Sequence, residues 1–131
     1  MHENVSALMP SCFMNCENLT SVTLPYNCRE IGEYAFYGCK NLEEINCFSD
    51  HTFQVDNIRA HAFEGCDSLN QIHLNLYGTN RETGIGEYAF ANCKKLESVS
   101  WERSSFMASH MFDGCESLTS ITLPNYTSYV Y

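Results

Sequence analysis

The chain has 131 residues, of which 44% are hydrophobic and 18% are charged, a composition typical of a single globular domain. Its net charge of −9 argues against binding to nucleic acid or to an anionic membrane surface, because both ligands require basic patches. No apolar run approaches the roughly 20 residues that span a bilayer, so we expect no membrane insertion.

One pattern recurs five times and covers nearly the whole chain. It is clearest in residues 85–101, where Phe90 follows an aliphatic residue by five positions and an alanine by one. A cysteine comes three positions after this phenylalanine, a leucine six positions after and a valine nine positions after. Such self-similarity, at spacings of 23, 27, 27 and 22 residues, is typical of a solenoid built from stacked repeats. The five copies are centred on Phe13, Phe36, Phe63, Phe90 and Phe112.

The first half of each copy has the spacing of a short helix. In the second copy Ile31, Ala35 and Phe36 fall on one face of a single helical turn. The residue before the repeat cysteine is always glycine or asparagine, the residues that most readily adopt a left-handed conformation and end a helix. We therefore expect a helical turn that ends at Asn15, Gly38, Gly65, Asn92 or Gly114.

The second half of each copy has the alternation of a half-buried strand. Residues 69–74 read LNQIHL and residues 118–123 read LTSITL, with a β-branched residue at the middle apolar position. Pro25 and Pro124 directly follow two of these strands and should end them, since proline has no N–H to donate. The five strands should form one parallel sheet. The sequence thus predicts an α/β repeat solenoid of about five rungs, with a parallel sheet on one face and short helical turns or loops on the other.

The outward positions of these strands are the candidate ligand-binding site. They carry mainly hydroxyl and amide groups, which suit hydrogen bonding to a protein or a glycan, and solenoids bind partners on such concave sheet surfaces. The alternative is a solvated sheet face that binds no ligand. The candidate residues are Ser21, Thr23, Glu44, Asn46, Gln71, His73, Ser98, Ser100, Ser120 and Thr122.

The eight cysteines are best interpreted as packing groups. Five of them occupy one inward repeat position, and a buried free cysteine behaves as a small hydrophobic residue. Neighbouring rungs would place their Cα atoms close enough for disulfides, so pairing stays open as an alternative, although an odd ladder of five cannot pair completely. The ladder consists of Cys16, Cys39, Cys66, Cys93 and Cys115.

Catalytic and metal sites are not expected. Cys12 and Cys16 form a C-x-x-x-C without the further ligands of a zinc site. His61 and His110 share a repeat position with Tyr34 and Tyr88, which places them in separate rungs on the outer wall, too far apart to act as a pair. No phosphate-binding loop, G-x-S-x-G or H-E-x-x-H motif occurs. We therefore predict no enzymatic activity and no cofactor.

The repeat consensus, A-F-x-[GN]-C-x-x-L-x-x-I-x-L-P preceded by I-G-x-x, resembles the BspA-like type of leucine-rich repeat over roughly residues 8–125. The resemblance implies a leucine-rich repeat array that binds proteins and mediates adhesion, with extracellular-matrix proteins or other cells as partners. It implies no enzyme and no cofactor. The chain departs from the consensus at Met9-Pro10 and Met107-Ala108, and its connections at residues 48–57 and 75–84 are longer than the others.

Two functions are compatible with these observations. The first is a protein- or glycan-binding module similar to surface adhesins and antigens. The second is a structural segment that associates end to end, because neither terminal copy has the polar outer face of a capping repeat. The resemblance suggests a cell-surface or secreted location, although the first ten residues lack the basic and apolar regions of a signal peptide. We expect one domain over residues 1–131 that is part of a longer array.

Overall fold

The computed structural model describes residues 6–24, 28–47, 53–76, 84–101 and 108–122. They form a parallel-strand solenoid of about four turns. We number its rungs 1 to 5 after the phenylalanines Phe13, Phe36, Phe63, Phe90 and Phe112. Pro25, Pro124, Met107 and most of the two longer connections lie outside the described residues. The strands are β1 Ala7–Leu8, β2 Ser21–Leu24, β3 Glu30–Ile31, β4 Glu44–Cys47, β5 Phe53–Val55, β6 Asn57–Ile58, β7 Gln71–Leu76, β8 Gly84–Ile85, β9 Ser98–Trp101 and β10 Ser120–Thr122.

The wall that carries the long strands is parallel, but it is not the single sheet that the sequence predicted. β2 pairs with β4, whereas β7 pairs with β9 and β9 with β10. Within the described residues no pairing joins β4 to β7. The long connection after β4 adds an extra strand, β5, which pairs with residues 74–76 at the end of β7. The prediction of one five-stranded sheet was therefore wrong, while the parallel direction and the register within each part are confirmed.

A second parallel ladder marks the opposite side of the solenoid. The two-residue strands β1, β3, β6 and β8 pair in that order, with Leu8, Ile31, Ile58 and Ile85 in register. These aliphatic residues are buried and close the core from this side. Rungs 1 and 2, and rungs 3 and 4, therefore pair twice, once at the long strands and once at the short ones, whereas in the described part rungs 2 and 3 pair at the short strands without a β4–β7 pairing.

The segment after each short strand is a run of tight turns, and the prediction of helical turns was wrong. The N–H groups of Ala35, Tyr37 and Cys39 donate to the carbonyl groups three residues earlier, at 3.1 Å in all three bonds. The intervening N–H groups of Tyr34, Phe36 and Gly38 donate instead to carbonyl groups of rung 3, at 3.2, 2.8 and 2.9 Å. A helix must bond every N–H within its own turn. Pairing with the next rung takes half of these donors, so no helix forms among the described residues.

Two residues in each run of turns are left-handed. The glycine or asparagine before the repeat cysteine has φ between 57° and 76°, which confirms the predicted left-handed conformation and is the geometry of the third residue of a type II turn. The residue four positions earlier is also left-handed, with φ between 56° and 61°. This was not predicted, because positive φ is uncommon for residues other than glycine. These residues are Ser11, Tyr34, His61, Tyr88 and His110.

The core is a stack of repeated side chains between the strands and the turns. The rings of Phe36, Phe63 and Phe90 are fully buried and lie parallel, with centroids 5.1 and 5.2 Å apart. Phe13 and Phe112 extend the stack at 5.4 and 5.9 Å but are only partly buried. No rung could bury its ring alone, so each one depends on its neighbours for stability.

The cysteine ladder has a polar function besides packing. The Cys66 thiol donates to the carbonyl oxygen of Phe36 in the preceding rung at 3.2 Å, and the Cys93 thiol donates to Phe63 in the same way. Cys39 and Cys115 make the equivalent bond at 3.0 Å. All seven cysteines with described side chains are free thiols, as the packing interpretation requires, and the side chain of Cys47 lies outside the description. Cysteine suits this position because it is small, apolar and still a weak donor.

Candidate functional site

The predicted site residues form two separate groups on the strand wall, which we call the strand face. In the first group Ser21 lies beside Glu44 and Thr23 beside Asn46, and all four side chains are exposed. The alternating burial of β2, with Val22 and Leu24 inside, places its polar residues outward. The prediction of outward polar positions is therefore confirmed for this pair of strands.

The second group lies on β7, β9 and β10. Gln71, Ser98 and Ser120 occupy one row across the three strands, and Gln71 and Ser120 are exposed while Ser98 is half-buried. His73, Ser100 and Thr122 occupy the next row along the same strands, but their side chains lie outside the description. The break between β4 and β7 separates this group from the first, so the structure does not pair all ten residues in one register.

The chemistry of the strand face is that of neutral hydrogen bonding. Apart from Glu44, the described side chains in these rows are hydroxyl and amide groups, which both donate and accept. The described part contains no group of three or more histidine, cysteine, aspartate or glutamate residues that could hold a metal ion. Nor does it contain a helix long and apolar enough to cross a membrane. The arrangement suits recognition of a polar surface.

The turn wall carries a feature that the sequence analysis missed, a column of stacked aromatic rings. The rings of Tyr34, His61, Tyr88 and His110 are nearly parallel, with centroids 4.7, 5.2 and 5.1 Å apart and interplanar angles of 0°, 6° and 7°. We call these four residues the ring column. The signal was visible as a planar ring at one repeat position in four successive rungs. Their position on the outer wall was predicted, but their stacking was not.

Each histidine of the ring column has a carboxylate partner in its own rung. His61 Nδ1 contacts Glu64 Oε2, and His110 Nδ1 contacts Asp113 Oδ2 at 2.8 Å. The rungs that carry a tyrosine have Tyr37 and Ala91 at the position of these acids. Tyr88 lies between the two histidines, so they do not form a metal-binding or catalytic pair.

A groove of about 640 Å³ runs across rungs 2 to 4 beside the short strands. Gly32 and Gly86 line it, and Arg59 crosses it to bind Glu30 with a guanidinium nitrogen 2.9 Å from the carboxylate. Asn57 Oδ1 accepts a bond from the Gly84 N–H at 3.1 Å. Glu33 also lines the groove and is exposed, and the described lining contains no histidine, cysteine or serine.

Comparison with known proteins places this geometry in a family. The family model described as a BspA type leucine rich repeat region matches residues 6–131 in six copies, one more than the five centred on phenylalanines. A search of curated proteins found no significant match.

Three solved structures from bacteria resemble the chain. The leucine rich repeat protein of T. pallidum is 28% identical with a TM-score of 0.66, and a leucine rich cell surface protein of Faecalibacterium prausnitzii is 26% identical with a TM-score of 0.73. A leucine-rich repeat protein of Bacteroides ovatus is 29% identical with a TM-score of 0.55. The matches cover 92%, 93% and 94% of this chain but only 64%, 30% and 36% of those proteins. The chain thus corresponds to part of each neighbour.

Proposed function

Because the chain belongs to the family of BspA type leucine rich repeat proteins, we propose that it is a non-enzymatic module that binds a protein or a glycan through the strand face. The observation that carries the proposal is the register of exposed hydroxyl, amide and carboxylate groups on parallel strands, Ser21 beside Glu44 and Thr23 beside Asn46. The strands are held by the stacked core, so the backbone positions of these groups are fixed before a ligand arrives, which lowers the entropic cost of binding.

The size of the strand face limits the affinity of one module. A standard protein interface uses roughly 20–30 residues on each side. The ten proposed positions on this chain fall below that number. We therefore propose that strong attachment requires a longer array or many copies, which gain through avidity.

The resemblance to a cell surface protein supports an extracellular setting for this module. In that setting the partner would be an extracellular-matrix protein or a component of another cell surface, and the complete protein would act as an adhesin or surface antigen. The chain matches only 30% of that neighbour, so the complete protein in this proposal is a longer array of the same rungs.

Substitutions on the two strand groups should weaken binding. The probes are a glycan array and a panel of immobilised extracellular-matrix proteins, and the variants are Glu44→Ala with Asn46→Ala and Gln71→Ala with His73→Ala. Side chains that matter in an interface cost more than about 1 kcal/mol on truncation, so each double variant should bind at least roughly fivefold more weakly.

The matched control is Glu87→Ala with Ser109→Ala, which removes two exposed polar side chains from the turn wall. It should bind as the unmodified chain does. If a ligand is found and both strand-face variants retain full affinity while folded, the strand face is not the binding site.

The second candidate function is end-to-end association without a dedicated ligand. It is favoured by exposed apolar side chains in rungs 1 and 5, since Met9 is 69% exposed and Ile121 is 45% exposed. A molar mass that grows with concentration in light scattering, and that charged substitutions at Met9 and Ile121 reduce to the monomer value, would favour this function over the first.

A further inference from the structure

The ring column ends at rung 1, where the repeat position holds a serine. Ser11 has φ of 58°, the conformation of the column residues, and its N–H donates to the carbonyl of Glu33 at 2.9 Å. The N–H of His61 makes the same type of bond to rung 4 at 2.9 Å. Ser11 therefore stands over Tyr34 as Tyr34 stands over His61.

The face of Tyr34 towards rung 1 carries no stacked ring among the described residues. A serine side chain ends one bond beyond Cβ, too short to cross a tyrosine ring. Tyr37 contacts Tyr34 at 5.5 Å and 66°, but it belongs to the same rung, so it lies beside the column and does not continue it. The other face of Tyr34 is stacked on His61. One place in the column is thus open.

The chemistry of the open place favours a planar cation. Tyrosine and histidine alternate along the column, and an imidazole ring would come next in that order. The face of a tyrosine ring is electron-rich and attracts cations. Among protein side chains, the arginine guanidinium is both planar and permanently charged, and it stacks on aromatic faces.

Rung 1 and the residue before Tyr34 carry acidic groups and no cation, which suits a cationic ligand. Residues 6–24, which form rung 1, contain no lysine or arginine, and their one charged residue is Glu17. The exposed Glu33 directly precedes Tyr34. Met14, which is 41% exposed, occupies in rung 1 the position that Tyr37 occupies in rung 2, and its thioether can pack against an aliphatic stem.

We infer that the open end of the ring column binds an arginine side chain of a partner protein. The arginine would lie on the face of the Tyr34 ring that Ser11 leaves uncovered. This surface lies on the turn wall and is distinct from the strand face, so the inference does not depend on the proposed function. A single contact of this type favours binding by roughly two- to fivefold, and it would act together with further contacts of the same partner.

The test follows the tyrosine ring signals by NMR during titration with N-acetyl-arginine methylamide. The Tyr34 signals should shift steadily as the probe concentration rises, while the signals of Tyr88, whose two faces are stacked, should not. The lysine analogue should produce a smaller shift. Ser11→His should abolish the Tyr34 shift, because it places a ring in the open position, and His61 and His110 show that histidine adopts this backbone conformation. Ser11→Gly keeps the position open and should retain the shift.

A second pair of variants makes the test independent of whether Ser11→His folds. Saturation transfer from the protein to the arginine probe should be lost in Tyr34→Leu and retained in Tyr88→Leu. The strand-face variants should leave both readouts unchanged. An unchanged Tyr34 spectrum during the titration, a Tyr34 shift that persists in folded Ser11→His, or equal transfer to Tyr34→Leu would each overturn the inference.

Discussion

Replacement of Phe63 by alanine should lower the free energy of unfolding by about 3–5 kcal/mol. The ring is fully buried and lies between Phe36 and Phe90, at centroid distances of 5.1 and 5.2 Å. Its removal leaves a cavity at the centre of the stack and takes a stacking partner from two rungs at once. Domains are stable by only about 5–15 kcal/mol, so the variant should be close to unfolding. Urea denaturation followed by circular dichroism measures the effect.

Phe112→Ala is the matched control for this prediction. Its ring occupies the same repeat position but is only partly buried. We expect it to cost roughly half as much, because less apolar surface is lost. Equal losses at the two positions would mean that stability does not depend on the interior of the stack. A broader unfolding transition in Phe63→Ala would indicate that the rungs before and after Phe63 unfold separately. The nearest-neighbour energetics of repeat proteins allow this.

Alkaline pH should destabilise the protein through its buried thiols. Burial raises the pKa of the Cys66 and Cys93 thiols well above their usual range, and the neighbouring ladder cysteines raise it further. The unfolded chain ionises these thiols near about pH 8.5, whereas the folded chain keeps them protonated. Their contribution is therefore complete below about pH 8.5 and is lost as the pH rises above it.

The size of the alkaline effect follows from linkage. Each buried thiol costs about 1.4 kcal/mol per pH unit above the pKa of the unfolded chain, so two thiols should cost about 4 kcal/mol between pH 8.5 and 10. Urea denaturation under reducing conditions at several pH values measures the slope. The variant Cys66→Ala with Cys93→Ala lacks both thiols and should show a shallower slope. An identical slope in the variant would mean that these thiols do not cause the effect.

The core was predictable because each inward position is repeated in five rungs. Phe36, Phe63 and Phe90 lie at the same place in successive copies, and a ladder of identical apolar groups can be satisfied only by stacking. The left-handed residue before the repeat cysteine was predictable for a similar reason, since only glycine and asparagine occur there and both readily adopt this unusual backbone conformation. The sequence therefore predicted the structure at positions where the residue types present are compatible with only one environment or backbone conformation.

The turn wall was not predictable in the same way. The apolar spacing of Ile31, Ala35 and Phe36 fits one turn of a helix, but it fits a run of tight turns equally well. The hydrogen bonds between rungs decide between a helix and tight turns. The residue spacing within one copy gives no information about those bonds. A left-handed backbone conformation is unfavourable for a tyrosine or a histidine. Tyr34 and His61 both adopt it, and their rings stack in the ring column.

The outward position of the candidate residues was predictable, but the break in the sheet that carries them was not. Alternation placed Thr23 and Asn46 outward, and their register across β2 and β4 follows from the repeat. The break between β4 and β7 follows the longer connection at residues 48–57, which contains β5. The ring column was overlooked because the two histidines were considered as metal ligands, while the tyrosines at the same position indicated a stack.

The hydrogen bonds between rungs also determine how the molecule bears force. They run on the short-strand ladder and along the turns, where Tyr34, Phe36 and Gly38 each donate to rung 3. On the strand wall, β2 bonds to β4, β7 to β9 and β9 to β10. Tension along the stack is carried by the bonds of one rung boundary after another, so extension should proceed as a series of small ruptures. Tension across the stack loads the bonds of a whole boundary together in shear. A stack of such rungs should therefore respond differently to force along its axis and to force across it.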